Sequence, residues 1–160
     1  SAFQIVGMLE GAVERGTGLR IKAVGKPLGG KTGTTNLERD TWFVGFSPDL
    51  AVGVFVAFDT PLPLGRRETG SSVSAPIFRD FMAAALAEKP SIPFRIPPGV
   101  RMVRINARTG KLAREGDENI ILEAFKPGTE PTGESQILEG QSWSPNGGSV
   151  SSASGTGGLF

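Results

Sequence analysis

The sequence predicts an α/β (α+β) fold, in which an antiparallel strand meander has flanking helices. Three short segments rich in apolar residues or in Gly and Thr, residues 28–35, 41–46 and 51–58, follow one another closely. Their connections are too short for the crossover that parallel strands need, so we expect antiparallel pairing. Helical stripes of apolar residues flank these segments, in residues 2–14 and from Pro76 onward.

The first elements follow from this pattern in chain order. Residues 2–14 place their apolar side chains on one broad face, which is typical of a helix covered by its neighbours. The Gly-rich residues 16–18 predict its end, because Gly is common just beyond a helix C-terminus. Residues 20–24 are interpreted as a short segment at a sheet edge, and residues 28–35 as the first strand.

The next elements complete the meander and close it with a second helix. Ser, Pro and Asp in residues 47–50 predict a turn between the second and third strands. Residues 59–72 contain Pro and Gly and predict a loop. Pro76 is favoured in the first turn of a helix that we expect to end near Glu88. Its apolar residues form a single stripe: Ile77, Phe78, Phe81, Met82, Ala85 and Leu86.

Composition divides the chain into three parts. Residues 1–90 hold nearly all of the predicted core. Residues 91–126 combine a Pro-rich connector with a strand at 100–105 that turns into a weak hairpin. In residues 127–160 more than half of the positions are Gly, Ser or Pro, which predicts a disordered tail because so little apolar surface is available for burial. A core drawn from the first part alone is small and marginally stable.

The overall composition excludes several functional classes. The formal net charge of +1 argues against a nucleic-acid partner. The chain has no Cys, His or Tyr, which removes thiol nucleophiles, Ser-His-Asp triads and Cys/His metal sites. We therefore expect no metal and no cofactor. The start at Ser1, inside a helical pattern, indicates a longer protein in which any membrane anchor lies upstream.

The candidate site is the sequence GGKTGTTN at residues 29–36. A peptide that ends in a free carboxylate needs positive charge and hydroxyl donors, which Lys31, Thr32 and Thr34 supply. On a strand Thr32 and Thr34 project to the same side. Gly33 allows another element to approach the backbone closely. A backbone amide at the strand edge can also serve as half of an oxyanion hole.

A phosphate-binding loop is the first alternative, since residues 25–32 fit the pattern G-x-x-x-x-G-K-[ST]. Such a loop must open a helix at Lys31 and Thr32, so that helix amides face the phosphates. Here poor helix formers follow, and only nine residues separate Thr32 from Trp42. This context disfavours nucleotide binding.

Nearly the whole chain resembles the C-terminal part of the transpeptidase domain of class A penicillin-binding proteins, the two-domain cell-wall synthases. The similar segments are RGTG at residues 15–18, GGKTGTTN at 29–36, DTWFVGFSPDL at 40–50, ETG at 68–70, APIFRDFM at 75–82, EAFKPGTEPT at 123–132 and GGLF at 157–160. The resemblance implies a fold like that of penicillin-binding proteins and serine β-lactamases.

The resemblance also implies roles for the candidate residues. Lys31 matches the motif lysine, which polarises the site. Thr32 and Thr34 match residues that bind the terminal carboxylate of a D-Ala-D-Ala stem peptide of peptidoglycan, or the equivalent carboxylate of a β-lactam. The amide of Thr34 matches one oxyanion donor, and Gly33 the position kept bare beneath the substrate. The implied location is the periplasmic, extracytoplasmic face of the inner membrane.

One departure from the family pattern is decisive. The family's nucleophile lies in S-x-x-K, and no Ser here has Lys three residues later. A literal S-x-N match at residues 144–146 lies in the predicted tail and is interpreted as chance. We therefore expect the isolated chain to be inactive, with the missing N-terminal part of the same protein as its partner. The other alternative is a non-catalytic binding or scaffold fragment. Either way we expect an exposed apolar patch.

Overall fold

The computed structural model describes residues 2–132. The S-x-N match at residues 144–146 and most of the predicted tail lie outside this range. The elements, in chain order, are α1 (Ala2–Glu14), a 3-10 helix (Leu19–Val24), β1 (Gly29–Thr34), a second 3-10 helix (Asn36–Glu38), β2 (Asp40–Phe46), β3 (Ala51–Ala57), α2 (Ser74–Ala85), β4 (Arg101–Asn106) and β5 (Ile120–Phe125).

The antiparallel meander is confirmed. β1, β2 and β3 form one sheet in chain order, with Thr32 opposite Phe43 and Trp42 opposite Phe55. The turn between β2 and β3 is held by Ser47, whose amide donates to the Leu50 carbonyl at 2.8 Å. The Ser47 hydroxyl oxygen accepts the amide of Leu50 at 3.1 Å. Short antiparallel connections therefore set the order of the sheet, as the spacing predicted.

The core lies between the sheet and α2, with α1 against β1. Its buried apolar side chains are Val13, Ile21, Leu28, Phe43, Ala75, Phe78, Met82 and Leu86. The rings of Phe43 and Phe78 pack with centroids 4.7 Å apart. A Cβ on Gly45 would lie 2.7 Å from both rings, so glycine at this position lets α2 approach β2 closely.

Two local predictions need correction. Residues 20–24 are not extended but belong to the 3-10 helix, because this turn buries Ile21 completely between α1 and α2. The second helix begins at Ser74, so that Pro76 lies in its first turn as predicted, but it ends at Ala85 rather than near Glu88. The start at Ser74 brings the buried hydroxyl of this residue to 2.8 Å from that of Thr41, which satisfies both polar groups.

β4 and β5 form a separate two-stranded sheet. After β4 a turn brings Leu112 back to form a single bridge with Ile105. The strand that pairs with β4 along its whole length is β5. Sequence reasoning missed β5. The Gln4 side-chain amide donates to the Ala124 carbonyl at 3.0 Å and links this hairpin to α1. Within residues 2–132, no helix is both long and apolar enough to cross a membrane.

Large apolar side chains are exposed on the sheet and on α1, whereas the predicted contiguous patch stays a prediction. On the sheet these are Trp42, Val44 and Phe55, each about half exposed. The rings of Trp42 and Phe55 lie 4.5 Å apart, so they cover each other but remain open to solvent. On α1, Ile5 and Met8 are similarly exposed. Large exposed apolar patches are typical of surfaces that bind another protein, a membrane or a ligand.

Candidate functional site

The candidate residues lie on β1, which pairs only with β2 among the described residues and so has an open edge. The amide of Thr35 points toward β2, since it donates to the Asp40 carbonyl at 3.1 Å. Successive amides of a strand point to opposite sides. The amide of Thr34 therefore points to the open edge, where a substrate could accept its hydrogen bond.

Lys31 places a positive charge at this open edge. Its side chain is exposed, and Nζ donates to the Thr32 carbonyl at 3.0 Å and to Thr32 Oγ1 at 3.3 Å. Lys31 forms no salt bridge with any residue between 2 and 132. The ammonium group is therefore available to attract an anion.

Thr32 and Thr34 lie on the same face of β1, opposite Phe43 and Thr41 in the register. The hydroxyl oxygens of Thr17 and Thr32 are 3.0 Å apart, and either group could be the donor. Thr34 Oγ1 accepts the amide of Gly70 at 3.0 Å. Because this bond uses Thr34 only as an acceptor, the Thr34 proton can be donated to a ligand.

Gly33 and Gly70 allow two backbones to touch at the centre of the site. A Cβ on the buried Gly70 would lie 2.5 Å from the Trp42 carbonyl oxygen and 2.6 Å from that of Gly33. A Cβ on Gly33 would lie 3.2 Å from Trp42 Cβ. The loop that precedes α2 can therefore lie directly against the strand only while residue 70 has no side chain.

Sequence reasoning did not assign roles to Thr17, Gly70 and Ser71. All three contact the strand residues or one another, since Ser71 Oγ donates to the Thr17 carbonyl at 2.8 Å. Thr17 and Gly70 lie in segments that carried the family resemblance, RGTG and ETG, but a segment match does not reveal which atoms meet. Gly70 and Thr34 are 36 residues apart in the sequence, so their contact can be identified only once the fold is known.

The structure contradicts the phosphate-binding loop. Lys31 and Thr32 lie in the middle of β1 rather than at the start of a helix. Helix amides therefore cannot converge on a phosphate at this position. Within residues 2–132 there is also no group of three or more acidic, His or Cys residues placed to hold a metal ion. The arrangement instead offers one cation, two hydroxyl donors and one edge amide.

Two family models match the chain. The model of the penicillin-binding protein transpeptidase domain matches residues 1–83, and that of the penicillin-binding protein 1A C-terminal domain matches residues 96–139. Penicillin-binding protein 1A of Rickettsia conorii is 49% identical over 126 residues, which are 79% of this chain and 16% of that protein. The protein of the same name from Pseudomonas aeruginosa is 39% identical over 141 residues, 88% of this chain and 17% of the relative.

A solved structure is similar as well. The crystal structure of penicillin-binding protein 1A from Haemophilus influenzae has a TM-score of 0.71 and 35% sequence identity, over 82% of this chain and 21% of that one. The chain thus spans only about a sixth of the length of the curated relatives described above. Since the transpeptidase model covers more than half of the chain, and both sequence and structure relatives agree with it, the chain belongs to the penicillin-binding protein transpeptidase family and corresponds to the C-terminal part of its class A members.

Proposed function

We propose that this chain forms the carboxylate-binding and oxyanion side of a serine-type D,D-transpeptidase that cross-links peptidoglycan and is a target of β-lactams. The observation that carries the proposal is the open edge of β1. There the exposed Lys31 ammonium, the hydroxyl of Thr34 and the outward amide of Thr34 come from four consecutive residues of one strand. An anionic, peptide-like ligand laid along this edge would meet three donors, namely the Lys31 ammonium, the Thr34 hydroxyl and the Thr34 amide.

The terminal carboxylate of a D-Ala-D-Ala stem peptide is the group that this donor set suits. Carboxylates accept charge-assisted hydrogen bonds that are about twice as strong as neutral ones. In the proposed complex Thr32 and Thr34 donate their hydroxyl protons to the carboxylate. Lys31 supplies the positive potential that draws the anion to the edge. A β-lactam carries an equivalent carboxylate and would bind in the same way.

The chemical step is acyl transfer. A serine in an S-x-x-K segment, outside this chain, attacks the carbonyl of the penultimate D-Ala and expels the terminal D-Ala, and an amine of a second stem peptide then takes the acyl group. The Thr34 amide stabilises the carbonyl oxygen as it becomes negative. One such donor contributes about 3–4 kcal/mol to lowering the barrier. Gly33 leaves room for the substrate backbone.

The proposed organisation follows from this assignment. Residues 1–90 form the C-terminal part of the transpeptidase domain, residues 91–126 a connector and hairpin, and residues 127–160 a tail. The missing N-terminal part of the same protein is the partner that covers the exposed Trp42, Val44 and Phe55 and brings the nucleophile. An upstream anchor would hold the site at the periplasmic face of the inner membrane.

Labelling with a fluorescent penicillin tests the proposal. The chain is tested alone and mixed with the upstream part that carries S-x-x-K. We expect labelling only in the mixture, on the upstream partner, and a fall of about 100-fold when Lys31→Ala removes the cation. Lys111→Ala, which removes a cation from the turn after β4, is the matched control and should leave labelling unchanged.

Two other outcomes would each reject part of the proposal. If the isolated chain is labelled, one of its own serines is the nucleophile, and its assignment as half of a site is wrong. If the two parts bind each other but the mixture is never labelled by the penicillin, the chain is a non-catalytic binding or scaffold fragment.

A further inference from the structure

We infer that Thr17 is a positioning residue for the site: its hydroxyl holds the Thr32 hydroxyl in the orientation that donates to the substrate carboxylate. The inference rests on the proposed function and adds to it a residue outside the strand motif. It starts from one contact, the 3.0 Å separation of the Thr17 and Thr32 hydroxyl oxygens. Thr17 itself is exposed and belongs to the turn after α1.

The turn that carries Thr17 is fixed on both sides. The amides of Gly16 and Gly18 donate to the Ala12 carbonyl, at 3.2 Å and 2.9 Å, and so tie the turn to the last residues of α1. Ser71 Oγ donates to the Thr17 carbonyl at 2.8 Å and ties it to the loop before α2. Thr17 is therefore held at a defined place beside β1 although its side chain lies at the surface.

A count of protons and lone pairs gives Thr17 its role. The Thr32 hydroxyl has two lone pairs and one proton. Lys31 Nζ donates to Thr32 Oγ1 at 3.3 Å, and the Thr17 hydroxyl is placed to donate to the same oxygen. When both donate, the lone pairs are filled and the Thr32 proton points outward. A carboxylate only accepts hydrogen bonds, so it selects this arrangement.

The charge of the substrate carboxylate predicts whether Thr17 affects binding or the rate of acylation. The carboxylate keeps its charge throughout acylation, so its contact with Thr32 is equally strong before and during the chemical step. An interaction of equal strength in both states changes binding and leaves the rate of the bound complex unchanged. Loss of Thr17 should therefore raise the dissociation constant of a penicillin, whereas the acylation rate constant should not change.

The test uses a full-length transpeptidase that carries this chain together with its S-x-x-K serine. Rapid-mixing measurements at several concentrations of a fluorescent penicillin separate the dissociation constant from the acylation rate constant. For Thr17→Val we expect a dissociation constant about fivefold higher, the effect of one hydrogen bond, with an unchanged acylation rate constant. Thr17→Ser keeps the hydroxyl and should restore binding. Thr109→Val, in the exposed turn after β4, is the matched control.

A double-mutant cycle with Thr32 distinguishes positioning from a general effect on structure. In a Thr32→Val background, Thr17→Val should have no further effect, since Thr17 acts only through the Thr32 hydroxyl. Additive effects would overturn the inference, as would an unchanged dissociation constant in Thr17→Val. If Thr17→Val does not fold, Ser71→Ala removes the bond to the Thr17 carbonyl, and we expect about a twofold weaker affinity; unchanged affinity would again count against the inference.

The proposed function and this inference fail in different ways. If Lys31→Ala leaves penicillin labelling intact, the proposed site itself is wrong, and the role of Thr17 fails with it. If Lys31→Ala abolishes labelling while Thr17→Val behaves as the wild type, the site stands and only the positioning role is rejected.

Discussion

The main-chain amide of Gly70 donates a 3.0 Å hydrogen bond to the hydroxyl oxygen of Thr34, across 36 residues of sequence. This bond joins the loop before α2 to the strand that carries the candidate site. It also fixes the Thr34 side chain as an acceptor toward the protein, which leaves its proton for a ligand. The contact exists because Gly70 has no side chain to hold the two backbones apart.

Gly70→Ala should therefore destabilise the chain. The new Cβ would lie within 2.6 Å of the Gly33 and Trp42 carbonyl oxygens, and backbone atoms cannot move aside cheaply. We expect a loss of about 1–3 kcal/mol in the free energy of unfolding, measured by urea denaturation. Gly53→Ala is the matched control, since its Cβ would meet only Val44, at 3.9 Å. Equal stability of the two variants would show that the loop does not rest on the strand.

The core offers a second prediction, within α2. Phe78 is fully buried against Phe43, whereas Phe81 on the same helix is 50% exposed. Phe78→Ala should cost about 3–5 kcal/mol of unfolding free energy, because it removes buried apolar surface and leaves a cavity. Phe81→Ala should cost much less. Similar losses for the two variants would mean that α2 packs through a different face.

The sequence predicted more of the fold than of the site's internal contacts. The strands β1 to β3 follow from local apolar patterns and short connections, which act within a few residues. The 3-10 helix at Leu19–Val24 could not be predicted in this way, because burial of Ile21 between two helices decides its conformation. Tertiary packing of this kind overrides local preference.

The same distinction holds at the site. Lys31, Thr32 and Thr34 were identified from one contiguous motif, and the alternation of a strand was enough to place both threonines on one face. Thr17, Gly70 and Ser71 come from two other segments that reach β1 only after folding. β5 was missed for a related reason, since its partner β4 lies beyond an intervening turn and a single bridge.

Thr34 allows a direct test of the hydroxyl donor. In the full-length transpeptidase, Thr34→Val should weaken penicillin binding about tenfold, the effect of one hydrogen bond to a charged group, while Thr34→Ser should restore it. Thr35→Val is the matched control. It also removes a hydroxyl that accepts a backbone amide, that of Asp40 at 2.9 Å, but it takes no donor from the open edge. If Thr35→Val weakens binding as much as Thr34→Val, the effect is structural.

Glu10 should make the stability of the chain depend on pH. Burial raises the pKa of its carboxyl above the ordinary value of 4.5, and the neighbouring Glu14 raises it further. Glu10 lines a groove between α1 and the β4–β5 hairpin, together with Glu14, Arg15 and Glu123. An ionised carboxylate at this position is therefore less favourable in the folded chain than in the unfolded one.

The sign of the effect follows from proton binding in the two states. Well below pH 4.5 both states keep the proton, and Glu10 has no pH-dependent effect. As the pH rises through the raised pKa, the unfolded chain ionises first, so stability falls until both states are ionised. Glu10→Gln should thus match the wild type at low pH and be more stable near neutral pH. Because Glu10 is only half-buried, we expect less than about 0.5 kcal/mol.

Urea denaturation of both proteins across this pH range measures the difference. Glu88→Gln, which removes the same charge from an exposed position after α2, is the matched control and should show no such divergence. A wild type that gains stability relative to Glu10→Gln as the pH rises would mean that the folded state favours the ionised carboxylate. The groove between α1 and the hairpin would then be open to water or hold a compensating cation, and burial would not be what sets the ionisation of Glu10.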